Sequence, residues 1–104
     1  MAVIDIIKRL FYNEVMYSDR PLLVAYVTKE DAASNVILSV LQEISEENLG
    51  VKVCSIDADA ERELMDRLGI TDVPTVVAMK NGKVKARTVG VTPKAEILKM
   101  LEVK

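Results

Sequence analysis

The chain has 104 residues, half of them hydrophobic, a net charge of −2, one cysteine and no histidine or tryptophan. That length suits one domain burying a single core, and the near-neutral charge gives no push toward nucleic acid or membrane. A lone Cys54 excludes an intrachain disulfide and a Cys-rich zinc site; the missing histidine excludes His-activated nucleophiles and His-based metal sites.

Residues 3–17 place apolar side chains at Val3, Ile4, Ile7, Leu10, Phe11 and Val15, a helical recurrence. Ile6, Tyr12 and Met16 widen that surface, either to cover a sheet or to form a homodimer contact; the first reading is preferred. The start lacks the positive n-region of a signal peptide, and no run approaches the ~18 apolar residues of a membrane span. A cytoplasmic location is expected.

Pro21 closes the first helix, and the continuous apolar run 22–27 predicts a strand buried on both faces. A second helix is expected from about Asp31, with Ala33, Val36, Ile37, Val40, Leu41 and Ile44 as its apolar stripe and Asn48 and Gly50 as its stop. Residues 51–56 form the next strand. A short helix follows, with Asp59 as expected N-cap and Gly69 as terminator.

Residues 75–80 and 83–89 flank Asn81-Gly82, a dipeptide favoured in two-residue hairpin turns. Strict alternation would put Lys83, Lys85 and Arg87 on one face of an edge strand, as edge protection or an anion-binding patch, the former being preferred. Thr92-Pro93 reads as N-cap and first residue of a last helix. The order α-β-α-β-α-β-β-α predicts an α/β fold: a mixed sheet of four strands, five if residues 2–7 form one, with helices on both faces.

Several landmarks in this order resemble the thioredoxin superfamily: the strand Leu23-Val24-Ala25-Tyr26, the Ile56-Asp57 strand ending, Gly69-Ile70 through Val73-Pro74-Thr75, the hairpin at Asn81-Gly82, and Val89-Gly90 before the last helix. The resemblance implies one thioredoxin-like domain over 1–104 and a cis bond before Pro74. The departures fall where the family does its chemistry. Asp31-Ala32-Ala33-Ser34 stands in place of the Cys-x-x-Cys dithiol, and Ala25 in place of a proton-relaying aspartate. Val27 replaces a tryptophan, and Ser39 a helix-kinking proline.

Disulfide exchange within one chain needs an attacking thiolate and a resolving thiol, so no catalytic residue is assigned. Asp31, at a helix N-terminus, is read as a simple N-cap. Cys54, mid-strand, is read as a small core hydrophobe. The resulting expectation is a redox-inactive module, not an enzyme, with no cofactor and no metal. It would bind a protein or peptide at a face made of Thr28, Asp31, Asn35, Asp72, Val73, Pro74 and Thr75. Two alternatives stand beside it. One is a redox protein working through Cys54 as a single thiol or with glutathione. The other is a structural subunit self-associating through the first helix or the 51–56 edge. A monomer or weak homodimer is expected, without nucleic acid or membrane partners.

Overall fold

The computed structural model describes residues 4–5 and 11–102. Strand β1 (Ile4–Asp5) is followed by a π-helical turn (Tyr12–Met16), β2 (Leu22–Val27), helix α1 (Ala32–Glu47), β3 (Lys52–Asp57), α2 (Arg62–Leu68), the hairpin β4 (Thr75–Lys80) and β5 (Lys83–Val89), and α3 (Lys94–Met100). The sheet runs β1-β3-β2-β4-β5, parallel from β1 to β2 and antiparallel across β2-β4-β5.

The mixed α/β sheet is the expected one, with Ile4–Asp5 as its fifth strand. The helical reading of residues 3–17 is therefore corrected at Ile4–Asp5 and holds over residues 11–16, where the helix is of π type from Tyr12. Ile4 and Asp5 pair with Cys54 and Ser55 of β3. A short apolar run carries no period that separates strand from helix; here the otherwise open edge of β3 decides. The remainder of that stretch lies outside the described residues. Because β3 is flanked by β1 and β2, its edge is occupied at Cys54 and Ser55, which removes the 51–56 edge there as a free pairing surface.

All six residues of β2 are buried, as a strand covered on both faces requires. Alternating side chains feed two cores. Val24, Tyr26, Cys54, Ile56, Val77 and Met79 pack with Phe11, Leu64 and Ile70 on one face. Leu23, Ala25, Val53, Val76 and Ala78 pack with Ile37, Leu41, Ile44 and Ile97 on the other. Each fully buried aliphatic side chain contributes roughly 1.5–3 kcal/mol.

In α1 the buried stripe is Ser34, Ile37, Leu41, Ile44 and Ser45, whereas Val36 is 47% exposed. The stripe is thus rotated toward two serines that a hydrophobicity pattern ignores. Ser45 Oγ satisfies itself on the Gln42 carbonyl at 2.8 Å. Asn48 ends the helix with its backbone N–H and its side-chain amide both on Ile44 O.

Asn81 (φ 53°) and Gly82 (φ 76°) both lie in the left-handed region, as a type I′ hairpin turn demands. Gly82 is also sterically required, since a Cβ there would stand 2.8 Å from the Met16 carbonyl oxygen. Between Met79↔Val84 and Ala78↔Ala86 the register slips, leaving Lys85 as an extra residue. Lys83 then shares the face of Lys80, and Arg87 that of Val77, on the opposite side of the sheet. The bulge splits the basic stripe that strict alternation predicted.

Two helix starts also differ from expectation. Glu61, not Asp59, precedes α2, and Pro93 rather than Thr92 precedes α3, with Thr92 buried and its hydroxyl against that of Thr88 at 2.8 Å. Lys94 at the start of α3 reaches Glu47 and Glu43 of α1 at 2.5 and 3.2 Å, tying the two helices on that face. The bond to Glu47, then that to Glu43, raises the Lys94 pKa above its ordinary value.

Candidate functional site

The site lies at one end of the sheet, where β2 runs into α1 and the chain enters β4. The Tyr26↔Thr75 pairing fixes that meeting. Thr28 follows the last residue of β2, and Val73-Pro74 precedes the first of β4.

Thr28 leaves β2 and hands its N–H to Ser34 Oγ at 3.2 Å. Ser34, completely buried, donates that hydroxyl to Asp31 Oδ2 at 3.0 Å, while its own amide donates to the same oxygen at 3.1 Å. Asp31, extended at φ −106°, is the N-cap of α1, and its carbonyl accepts from Asn35 N at 3.1 Å. Thr28, Asp31 and Ser34 thus form a closed capping network. Ala32 and Asn35 face solvent and Ala33 is half-buried.

The second half of the site is built differently. The Val73–Pro74 bond is cis. Pro74 is buried, with its carbonyl accepting from Gly90 N at 2.8 Å. Thr75 is completely buried, and its hydroxyl closes onto the Asp72 carbonyl at 2.5 Å. Thr75 therefore holds the loop from inside and presents no side chain outward. Between these anchors Val73 is 37% exposed, and among the described residues its peptide group joins no turn or loop hydrogen bond. Asp72 is exposed beside it, its carboxylate near the Thr71 hydroxyl at 3.4 Å.

Residues that the sequence reading passed over complete this face. Asp57 Oδ1 accepts from the amides of Asp59 and Ala60 at 3.0 and 3.2 Å, an Asx-type turn that projects Asp59. Asp59, freed from capping α2, accepts the Thr28 hydroxyl. An open pocket of about 310 Å³ lies between Asp59, Arg62, Asp66 and Ile70 on one side and Thr71 and Val73 on the other. The Ile56-Asp57 strand ending was the available signal for this turn. Arg62 and Asp66 carried none, because charged residues on a short helix read as solvated.

Cys54 is completely buried in the middle of β3, between β1 and β2. Among the described residues no group of three or more His, Cys, Asp or Glu side chains is arranged to hold a metal, and no helix is long and apolar enough to cross a membrane.

A five-stranded mixed sheet entered by a helix cap at β2 and a cis-proline at β4 defines the thioredoxin class of fold, and the comparisons agree. The thioredoxin family model matches residues 2–103, and the chain belongs to the thioredoxin family. It is 27% identical over 101 residues to the thioredoxin of Pseudomonas aeruginosa, covering 96% of this chain and 94% of that one. It is 32% identical over 89 residues to the thioredoxin of Rickettsia felis, covering 85% of each. Among solved structures, chloroplastic thioredoxin z superposes with a TM-score of 0.87 at 26% identity, over 98% of this chain and 93% of that one.

These relatives overturn one expectation. The lack of a dithiol was read as the lack of enzymatic function, whereas the chain's relatives are named thioredoxins, which are disulfide oxidoreductases. A cysteine count excludes an internal dithiol. It does not remove the chain from an enzyme family.

Proposed function

We propose that this thioredoxin-family chain takes part in thiol–disulfide chemistry by holding an extended segment of a partner protein against the Val73 backbone. The observation that supports this is Val73 itself, 37% exposed and, among the described residues, with no hydrogen bond to its own N–H or carbonyl, between two anchored neighbours. A segment laid there makes main-chain hydrogen bonds of the strand-addition kind, with side chains of the guest taking the adjoining pockets. Thr28, Asp31 and Asn35 border it on one side, and the pocket between Asp59, Arg62 and Thr71 on the other.

In this reading the exchanging sulfurs belong to the bound partner. Exchange needs an accessible thiolate, and Cys54 inside the sheet offers none. The buried position of Cys54 also weighs against the reading in which it serves as a single working thiol.

Selecting twelve-residue peptides from a display library against the protein tests the proposal. Selected peptides should shift the backbone resonances of Thr28, Asp31, Asn35 and Val73, and Val73→Arg should weaken their binding at least about tenfold, equivalent to ~1.4 kcal/mol. Peptides that bind Val73→Arg as tightly as the wild type would exclude this face.

A further inference from the structure

A second cavity, of about 150 Å³, shares Ile70 with the pocket beside Val73 and lies between the sheet, the π-helical turn and the β4-β5 hairpin. Phe11, Met16, Leu68, Val77, Met79 and Val84 form most of its wall, with Gly82 at the turn. A cavity of this size with an apolar lining accepts a benzene-sized molecule in a protein core. Among the described residues that line it, Tyr26 is the one with a polar side chain.

Tyr26 is 2% exposed, yet no group among the described residues hydrogen-bonds its hydroxyl. The hydroxyl is not sealed in either, since no enclosed side-chain oxygen or nitrogen is left unpaired among the described residues. It keeps accessible surface, and the cavity is what Tyr26 lines. Burial, then the neighbouring Cys54, pushes the phenol above its ordinary pKa against a smaller opposing effect of Arg87, so it is protonated and can both donate and accept. A guest there meets the Tyr26 side chain and otherwise, among the described lining residues, apolar side chains. An organic molecule with an apolar body and one polar atom satisfies both the wall and the hydroxyl.

We infer that this cavity is a binding site for a small monocyclic aromatic carrying one hydroxyl or carbonyl, its ring against Phe11, Leu68, Val77 and Val84 and its polar atom on the Tyr26 hydroxyl. Nothing in this site depends on the peptide face proposed above.

Phenol and toluene serve as probes, titrated into the full chain and followed through the methyl resonances of Val77 and Val84, which line this cavity and not the pocket of the peptide face. Both should bind, with phenol the tighter. Tyr26→Phe keeps the ring and removes the hydroxyl; it should leave toluene unchanged and weaken phenol by about five- to tenfold, the scale of one hydrogen bond. Val84→Phe, at a position 60% exposed and so tolerant of change, should narrow the cavity and weaken both probes. Absence of binding at millimolar probe, or phenol binding unmoved by Tyr26→Phe, would overturn the assignment.

Discussion

Asp31 Oδ2 accepts two hydrogen bonds from one residue, the amide and the hydroxyl of Ser34. The amide bond is an ordinary N-cap. The hydroxyl bond orients Ser34 Oγ so that its lone pairs face the Thr28 N–H, which joins the end of β2 to the first turn of α1. Ser34→Ala removes the acceptor from that N–H and should cost about 1–3 kcal/mol. Asp31→Ala should cost about 0.5–2 kcal/mol, and the double variant less than the sum, because the two changes delete one shared bond. Urea unfolding midpoints of the three variants decide this, with exposed Asn35→Ala within about 0.5 kcal/mol of wild type as the control.

The same geometry places two side chains of the α1 first turn within 3.0 Å of each other, so thiols substituted there can meet. Asp31→Cys with Ser34→Cys should form an intramolecular disulfide under mild oxidation by excess oxidised glutathione, which is reduced to two thiols as the protein loses about two hydrogens in mass. The thiol at position 31 should titrate below the free value of about 8.5, because it sits at the positive end of a 16-residue helix. A variant that remains fully reduced would show that this turn does not bring the two positions into bonding geometry.

Alkaline stability should depend on Tyr26. Its folded pKa is raised above the ordinary 10.0. Above pH 10 the unfolded chain therefore loses a proton that the folded chain keeps, and stability falls as pH rises. Below pH 10 the contribution is fully present. Tyr26→Phe cannot ionise, so its urea midpoint should drop less than that of the wild type between pH 8 and pH 11. Equal drops would mean that the phenol titrates normally in the folded protein.

Cys54 should behave as a core residue. It is completely buried between two paired strands, so a thiol reagent reaches it only through opening of the sheet. Modification by an aromatic disulfide reagent should be at least on the order of a hundredfold slower in the native protein than in denaturant. Comparable rates would restore the single-thiol reading.

Much of this fold is legible in local chemistry. The run 22–27 reads as a doubly buried strand, Asn81-Gly82 as a hairpin, Gly69 as a left-handed helix stop, and each is so. What escapes a sequence reading depends on partners distant in the chain. Ile4–Asp5 is a strand because β3 has an edge to fill. Lys85 is a bulge because β4 and β5 slip against each other. Asp59 is no cap because Asp57 turns the backbone first. At the site, Asp31 is recognisable as a cap from its position alone. Ser34 is not, since its value lies in an N–H six residues earlier. Thr75 was expected on the surface of the face and instead supports it from within.

Val73, 37% exposed, is the proposed docking edge. The most direct measurement is an NMR structure of the protein with a selected peptide, isotope-labelled in one partner at a time, searched for contacts between the two backbones. Close backbone contacts between the peptide and Val73, with slowed exchange of the Val73 amide, are the predicted result. A peptide whose contacts lie elsewhere, with Val73 exchanging as fast as in the unbound protein, would contradict it.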